Sequence, residues 1–326
     1  MKVLVTGGTG FVGAWVARKL AQRGASVRIL HRASSKLTAL DGVPFESALG
    51  DVTDPDATRR ACEGVQQVYH VAAVADYWRQ ADQAHMMHVN VDGTRHVLEA
   101  AQVAGVERVV VTSSAAALGF HQERPSTEAD PFNLAPERFP YGYSKYLAEQ
   151  VVLEYVAQGV PAVIVNPVVI LGPGDLNLIS GSFIVSTKQM GMFTPMTRGG
   201  ISVIDVRDVA DMHLAAAERG QIGERYILMH SNLPYSTWFS MIADAVGVRR
   251  PVLMTPNYIL PLVAWAIDTA RRLGIKTPID ANQARLGGQN VYFDGAKAHQ
   301  ALGQPRIAPA QMLADTYAWY REHGVL

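Results

Sequence analysis

The first thirteen residues place a glycine-rich turn between an apolar run and an amphipathic segment. The run Val3–Val5 predicts a buried strand, and a helical pattern extends from Phe11 to Arg23. The glycines of the turn follow two overlapping spacings, Gly8-x-Gly10-x-x-Gly13 and Gly7-x-x-Gly10-x-x-Gly13. Residues without Cβ let the chain bend tightly, let its backbone approach a pyrophosphate, and pack the helix close to the strand. The free N–H groups at the helix start favour that anion, so the pattern predicts a dinucleotide-binding unit.

The first half of the chain alternates strand-like and helix-like segments. Further strands are predicted at Ser26–His31, Gln67–Ala73, Arg108–Ser113 and Pro161–Asn166, and the helices between them include Met86–Ala104 and Tyr141–Gln158. Such alternation is typical of a parallel, doubly wound α/β sheet of the Rossmann type. With 326 residues, the chain is long enough for one large domain or two joined ones.

The character of the sequence changes after residue 170. Residues 171–200 are rich in Gly, Pro, Thr and Met and lack a clean period, which predicts loops over a substrate pocket. Strand and helix patterns return at Ser202–Asp205 and Asp208–Glu218. We predict a Rossmann domain over residues 1–170, with 201–228 returning to it. A smaller mixed α/β substrate-binding region is predicted over 171–200 and 229–326.

Composition excludes several classes of function. Formal net charge is zero and 48% of residues are hydrophobic, which argues against a nucleic-acid partner because such binding needs clustered cations. The single cysteine, Cys62, excludes an internal disulfide, fits a reducing cytoplasm, and is expected to fill core space. We expect no targeting segment before the first strand, a cytoplasmic location, and a monomer or homodimer.

The most apolar stretch is too short to cross a bilayer. It runs from Tyr258 to Ile267 and is interrupted by Pro261. No transmembrane segment is therefore predicted. The stretch predicts a packed or interfacial helix that continues to Leu273, and contact with a membrane surface or a partner stays open.

A tyrosine and a lysine four residues apart open the helix predicted at 141–158. Residues i and i+4 share a helix face, so Tyr141 and Lys145 are expected to point into one cleft. A phenol, with a reference pKa of about 10, is a poor acid–base group at neutral pH. A nearby ammonium favours the phenolate, while burial opposes it. Tyr141 is the predicted acid–base group because Tyr143 and Tyr146 have no lysine four residues later.

Two serines stand where the strand at Arg108–Ser113 ends, in the sequence Thr112-Ser-Ser-Ala115. The carboxyl ends of parallel strands are where ligands bind in this fold class. A serine hydroxyl at that edge can donate a hydrogen bond to a developing oxyanion. The alternative is that the serines only terminate the strand.

Together these motifs resemble the extended short-chain dehydrogenase/reductases, broadly called the NAD-dependent epimerase/dehydratase family. The matching segments run almost from end to end: the glycine turn, Asn90-Val-Asp-Gly-Thr94, Ser-Ser-Ala, Tyr-Gly-Tyr-Ser-Lys, Asn166-Pro167 with Leu171-Gly-Pro173, and Asp294-Gly-Ala-Lys-Ala298 before Leu302-Gly303. Within the family, the chain is similar to dihydroflavonol 4-reductase-like proteins and to bacterial hopanoid-associated sugar epimerases.

The resemblance implies roles for individual residues. Tyr141 is the catalytic acid/base, Lys145 lowers its pKa and holds the nicotinamide ribose, and Ser114, the serine directly before the alanine, completes the catalytic set. Ser114 and Tyr141 also contact the substrate. Besides Tyr141 and Lys145, the implied cofactor-binding residues are Gly7, Thr9, Gly10, Phe11, Val12, Gly13, Asp51, Val52, Ala72, Ala73 and Pro167. For Asp51, an Asx turn is the alternative.

The residue about 20 positions past the glycines indicates whether the site prefers NAD or NADP. NAD-preferring sites carry an acidic residue there. Here the segment 30–36, Leu-His-Arg-Ala-Ser-Ser-Lys, has two side-chain cations at Arg32 and Lys36 and no carboxylate. The planar fork of Arg32 suits a ribose 2′-phosphate. We predict a preference for NADP(H), with NAD(H) as the alternative if Arg32 is a solvated surface residue.

A histidine pair and an aspartate cluster are predicted to have structural roles. His85 and His88 can share a helix face, but no carboxylate or cysteine set accompanies them and the family uses no metal, so no metal site is predicted. Asp205, Asp208 and Asp211 lie where a strand end enters a helix, which favours helix caps and first-turn charges.

The substrate side is predicted from three features. Tyr77, with Trp78, is a candidate pocket wall, with plain packing as the alternative. The loop 190–196 carries flexible apolar side chains. Ile201 occupies the place where sugar-nucleotide members of the family carry an arginine that grips the diphosphate, although Arg198 lies three residues away.

These features predict an NADP(H)-dependent carbonyl reductase or alcohol dehydrogenase acting on a small, largely apolar ketone or aldehyde. Hydride passes between the nicotinamide and the carbonyl carbon while Tyr141 gives or takes the proton. One alternative is a nucleotide-sugar epimerase or dehydratase with a recycled, tightly held NAD. The other is a cofactor-bound regulatory protein without turnover.

Overall fold

A computed structural model of the chain describes residues 1–75, 82–275, 277 and 281–326. Its strands are β1 Lys2–Thr6, β2 Ser26–His31, β3 Glu46–Leu49, β4 Gln67–His70, β5 Arg108–Thr112, β6 Ala162–Pro167, β7 Val169–Leu171, β8 Gly200–Asp205, β9 Arg225–Leu228, β10 Ser231–Pro234 and β11 Asn290–Val291. Its helices are α1 Phe11–Gln22, α2 Pro55–Cys62, α3 Gln83–Met87, α4 Gly93–Ala104, α5 Pro140–Ala157, α6 Ser182–Met190, α7 Val206–Arg219, α8 Tyr235–Val246, α9 Leu260–Arg272, α10 Ala281–Leu286, α11 Ala296–Leu302 and α12 Pro309–Glu322.

Within the described residues, seven strands form a parallel sheet in the order β3-β2-β1-β4-β5-β6-β9. Successive side chains of a strand point to opposite faces, so both faces of this apolar sheet must be covered. Val3 and Val5 pack in a core with α1, α7 and α11, and Leu4 packs on the other side with α2, α4 and α5. The predicted Rossmann-type α/β fold is confirmed.

The single cysteine has the core position that the sequence predicts. Cys62, at the end of α2, is fully buried, and burial raises the pKa of its thiol to about 12. The thiol therefore stays protonated and fills core space, as expected.

A smaller sheet pairs β8 with β10 in antiparallel fashion and with β7 and β11 in parallel fashion. It packs against α6, α8 and α12 through a core that contains Trp238 and Tyr320, both fully buried. This mixed α/β unit contains most of the region predicted to bind substrate. The division of the chain into cofactor and substrate regions stays a proposal.

Residues 201–228, which are predicted to return to the Rossmann domain, divide between the two sheets. From Val206 onward, α7 packs beside α1 and β9 joins the edge of the larger sheet. Strand β8 instead lies in the smaller sheet, where every one of its residues is buried. The apolar pattern of β8 predicts a buried strand, but a strand can be buried in either sheet. Its pairing with β10 and β7 places it in the smaller one.

Two helices differ from their predicted form. The segment 171–200, predicted as loops, contains α6, whose period was obscured because only Ile184 and Thr187 of its nine residues are buried. The helix predicted at Met86–Ala104 consists of α3, one π-helical turn at His88–Asp92, and α4. A π-turn inserts one residue into the helical period, which the sequence pattern does not reveal.

Helix α9 is packed on one face and exposed on the other. Ala264 and Ile267 pack against Ala281 and Ala284 of α10, so the packed alternative is correct for that face. Leu262 and Trp265 are each 63% exposed. Of the helices in the described part of the chain, none combines the length and apolarity that crossing a bilayer requires.

Candidate cofactor and catalytic site

The glycine turn connects β1 to α1 and lies against the end of β4. Gly7 has a φ of +70°, a conformation that side chains other than glycine rarely adopt. The N–H of Gly10 donates to the Gly7 carbonyl oxygen at 3.0 Å. A Cβ on Gly7 would lie 2.6 Å from the Ala72 nitrogen, and one on Gly13 would lie 2.2 Å from the Gly7 carbonyl oxygen. The turn therefore requires glycine at both positions.

The start of α1 is open to an anion. Phe11 begins the helix after Gly10, and among the described residues no side chain caps the first turn, which also carries no acidic residue. Its N–H groups and the positive end of the helix dipole therefore face the turn. Together with the two glycines that a Cβ would block, this arrangement fits the pyrophosphate of a dinucleotide.

The ends of β2 and β3 bring Arg32 and Asp51 together. The Arg32 Nε lies 3.9 Å from an Asp51 carboxylate oxygen, and the arginine side chain is 63% exposed. The other Asp51 oxygen accepts from the N–H and the hydroxyl of Thr53 at 3.0 and 2.9 Å. The Asx turn named as the alternative is thus formed. The cofactor roles of Arg32 and Asp51 stay predictions.

The remaining predicted cofactor residues lie near the carboxyl edge of the sheet. The Ala72 N–H donates to the Thr6 hydroxyl at 3.2 Å, which ties the chain after β4 to β1, and Ala73 follows. Val52 is buried and fills the space beside Gly93, where a Cβ would lie 2.9 Å from a Val52 methyl. Ala72 therefore lies against the glycine turn, whereas Val52 follows β3 and Pro167 ends β6.

Tyr141 stands at the start of α5 and meets the end of β5. A hydrogen bond between its phenol and the Ser114 hydroxyl favours the phenolate, but burial outweighs it and raises the pKa of Tyr141. The Ser114 oxygen also accepts from the Ala116 N–H at 3.2 Å. Tyr141 is therefore protonated at neutral pH and available as a proton donor.

Lys145 lies one turn after Tyr141 and is 5% exposed. Its ammonium donates to the Thr112 carbonyl oxygen at 2.9 Å, and burial lowers its pKa to about 8. Burial raises the pKa of Tyr141, and the hydrogen bond to Ser114 lowers it by a smaller amount. The lowering of the Tyr141 pKa by Lys145 that the resemblance implies stays a prediction.

No motif in the sequence marks Glu149 as part of the site. This carboxylate lies one helical turn beyond Lys145, is 1% exposed, and accepts hydrogen bonds from Ser113, Asn166 and Arg225. Its position four residues after Lys145 was the available signal, since i and i+4 share a helix face. Asn166 and Ser113 belong to sequence motifs, but those motifs do not predict their contact with Glu149.

Asn90, in the π-helical turn, joins the end of β4 to α5. Its side-chain oxygen accepts from the Val74 N–H at 2.8 Å, and its amide donates to the Ser144 hydroxyl at 2.9 Å. The side chain is 1% exposed. It therefore fixes the helix that carries Tyr141 relative to the chain segment leaving β4.

Two buried histidines brace the strand ends in their neutral form. The two ring nitrogens of His70 lie 2.8 Å from the Thr6 hydroxyl and 3.0 Å from the Thr94 hydroxyl, and burial lowers its pKa to about 3. His213 lies 2.8 Å from the Thr112 hydroxyl, and burial lowers its pKa to about 4. Neither is charged near neutral pH.

The other candidate residues lie apart from this cluster. Tyr77 and Trp78 lie outside the described residues. His88 is half exposed and pairs with Asp92 at 2.9 Å, and no group of three potential metal ligands occurs where the structure describes the chain.

The three aspartates at α7 have separate structural partners. Asp205 caps α7 by accepting from the Arg207 N–H at 2.8 Å. Asp208 accepts from the Ile307 N–H at 2.9 Å, and Asp211 pairs with Lys19 at 3.0 Å. Asp205 is thus a helix cap and Asp208 a first-turn charge, as predicted, whereas Asp211 lies beyond the first turn and pairs with α1.

The chain is similar to known proteins in sequence and in fold. The sequence signature of the NAD dependent epimerase/dehydratase family matches residues 3–228. The chain is 37% identical to a protein from Synechocystis sp. named for dihydroflavonol 4-reductase, over 98% of this chain and 94% of that protein. It is 32% identical to sterol demethylase protein B from Methylococcus capsulatus, over 100% of both chains. A nucleoside-diphosphate-sugar epimerase from Pseudomonas aeruginosa superimposes with a TM-score of 0.81 at 27% identity, over 99% of this chain and 98% of that one.

Proposed function

Because the chain belongs to the NAD-dependent epimerase/dehydratase family, we propose that it is an NADP(H)-dependent oxidoreductase. It reduces a ketone or aldehyde, or oxidises the corresponding alcohol, by hydride transfer. The observation that carries the proposal is the buried Tyr141 phenol, hydrogen-bonded to Ser114 beside the strand ends that the glycine turn approaches. A protonated phenol at that edge is suited to protonating a carbonyl oxygen.

In the reductive direction each catalytic side chain has one task. The bound dinucleotide supplies the hydride that reduces the carbonyl carbon. Tyr141 donates its proton to the carbonyl oxygen, and the Ser114 hydroxyl donates a hydrogen bond to that oxygen as negative charge develops. The Lys145 ammonium then stabilises the Tyr141 phenolate until solvent returns the proton. In the oxidative direction the same phenolate accepts the proton of the alcohol.

The preference for NADP(H) rests on the end of β2. Arg32 is exposed, lies beside Asp51, and is preceded and followed by no acidic residue within segment 30–36. A guanidinium that is free to turn toward a ribose 2′-phosphate can form two charge-assisted hydrogen bonds with it. NAD(H) lacks that phosphate and gains nothing from the arginine.

The residues on and before β8 support a largely apolar substrate. Ile201, at the position where sugar-nucleotide members carry an arginine, is 5% exposed and packs in the core between the smaller sheet and α6, α8 and α12. Arg198 is exposed. The apolar loop 190–196 leads from α6 toward β8. The names of the Synechocystis and Methylococcus relatives refer to a flavonoid and a sterol, which are both ring systems with large apolar surfaces.

The test follows reduced cofactor during two incubations. Purified protein is mixed with NADPH and a panel of hydrophobic ketones and aldehydes, and separately with UDP- and dTDP-sugars. We expect NADPH to be consumed in proportion to the alcohol formed from at least one carbonyl compound. Epimerised or dehydrated sugar formed without net cofactor consumption, together with inert ketones, would favour the sugar-nucleotide alternative.

A further inference from the structure

A buried carboxylate lies directly behind the catalytic side chains. One Glu149 oxygen accepts from the Asn166 amide at 2.6 Å and from the Ser113 hydroxyl, and the other accepts from Arg225 at 3.0 Å. Glu149 is 1% exposed. A buried carboxylate is retained in its ionised form only when charges and donors of this kind surround it.

These contacts reach the catalytic serine from two directions. The Asn166 amide that binds Glu149 also donates to the Ser114 carbonyl oxygen at 3.0 Å. Ser113, which binds the same carboxylate oxygen, is the residue before Ser114. The carboxylate thus joins α5, the end of β5 and the end of β6 at the point where Ser114 meets Tyr141.

We propose that Glu149 is a positioning residue of the active site, which holds the Ser113–Ser114 turn against α5 and keeps the Lys145 ammonium charged. It acts through Ser114 and Lys145, so the inference rests on the function proposed for those two side chains. Nothing in this role requires Glu149 to contact substrate or cofactor.

The electrostatic part of this role concerns Lys145. Burial lowers the pKa of Lys145 to about 8, and the negative charge of Glu149 opposes that fall. Without the carboxylate, the pKa of Lys145 would drop further, and the ammonium would be lost closer to neutral pH. The loss would remove the cation that stabilises the Tyr141 phenolate.

Two histidines and Tyr141 near this cluster do not titrate in the same range as Lys145. His70 on β4 and His213 on α7 stay neutral above pH 6, because burial lowers their pKa values to about 3 and about 4. The pKa of Tyr141 is raised above its ordinary value. Arg225 on β9 pairs with Glu149 at 3.0 Å, and Glu128 accepts from the Ile227 N–H at 2.9 Å. Lys145, whose pKa is about 8, is expected to titrate between pH 7 and 9.

Replacing either partner of the Glu149–Arg225 ion pair should shift the pKa of Lys145 in opposite directions, which tests the proposal. Glu149→Gln removes the anion, so the pKa of Lys145 should fall by about 1. Arg225→Gln removes a cation and leaves the carboxylate, so the pKa of Lys145 should rise. Both variants break the same buried ion pair and should lower the Tm. A purely structural role would make their other effects alike.

The pKa of Lys145 is read by NMR of the whole protein after reductive ¹³C-methylation of its lysines, with Lys145→Arg to assign the signal. The alkaline limb of the kcat/KM profile is measured on the unmethylated variants. We expect the limb to move to lower pH in Glu149→Gln and to higher pH in Arg225→Gln. At pH 7, kcat of Glu149→Gln should fall about tenfold, because Ser114 loses its support.

Equal or unchanged Lys145 titrations in the two folded variants would overturn the proposal, and so would a full kcat in Glu149→Gln. If Glu149→Gln does not fold, the Arg225→Gln titration decides: a raised pKa of Lys145 supports the proposal, and an unchanged or lowered one refutes it. The NMR titration needs no substrate. A wild-type protein that reduces no carbonyl compound but shows the opposite shifts would therefore refute the proposed reaction and not the electrostatic role.

Discussion

Among individual residues, Arg32 is the one proposed to select NADP(H) over NAD(H). Arg32→Ala should weaken NADPH binding by about 1.5–3 kcal/mol, the usual value of a hydrogen bond to a charged group, and leave NADH binding almost unchanged. Titration of both nucleotides by fluorescence measures this. Lys36→Ala, a nearby exposed cation, is the matched control and should have a smaller effect. Equal affinities of the unmutated protein for NADPH and NADH would contradict the assignment.

Tyr141 and Tyr143 give a second residue-level comparison. Tyr141→Phe keeps the ring and removes the proton donor, so kcat should fall about 100-fold or more while Tm and cofactor affinity are retained. Tyr143 stacks near Phe132 and Tyr146, with ring centroids 5.8 and 6.2 Å away. Tyr143→Phe keeps those contacts and should change kcat little. The reverse order of effects would show that the helix register is wrong.

The sequence identified the residues that the motif spacing brings to one face, and it missed those that meet through tertiary structure. Tyr141 and Lys145 are one helical turn apart, so their shared face follows from helix geometry alone. Glu149 lies on the same face, but its partners Asn166 and Arg225 come from β6 and β9. The burial of this carboxylate depends on the order of strands in the sheet, which no local pattern encodes.

For the elements, the βα unit at the start of the chain gives the sharpest prediction. Gly13→Ala would place a Cβ 2.2 Å from the Gly7 carbonyl oxygen, so the turn must shift. Gly10→Ala is the matched control, since its Cβ would lie 3.3 Å from the same oxygen. We expect Gly13→Ala to weaken dinucleotide binding at least tenfold and Gly10→Ala to weaken it less, as measured by fluorescence titration. Equal binding by both variants would contradict this role of the turn.

The boundaries of an element could be predicted where its apolar pattern is uninterrupted. They were harder to predict where tertiary contacts determine the position of the element. Strand β2 occupies the predicted residues Ser26–His31, because its apolar run is bounded by polar and glycine residues. Strand β8 is a strand as predicted but pairs in the other sheet. Helix α6 was missed because Gly181 and Gly191 bound a short segment with few buried side chains.

For the whole molecule, the buried histidines predict how stability depends on pH. Burial lowers the pKa values of His70 and His213 to about 3 and about 4, whereas both residues regain an ordinary pKa of about 6.5 in the unfolded chain. The unfolded chain therefore binds more protons between these values, and the free energy of unfolding must fall as pH decreases through that range. Stability from this source is complete above about pH 6.5 and is lost progressively toward pH 3.

The size of this effect can be measured by urea unfolding. At pH 4 each histidine should reduce the free energy of unfolding by about 3 kcal/mol relative to pH 7. His213→Gln keeps a polar side chain near Thr112 but cannot be protonated, so it should lower stability at pH 7 and make the fall toward pH 4 shallower by a similar amount. His88→Gln changes a half-exposed histidine and should leave the slope nearly unchanged. If both variants keep the wild-type slope, the neutral buried histidines do not govern acid unfolding, and the carboxylates must do so instead.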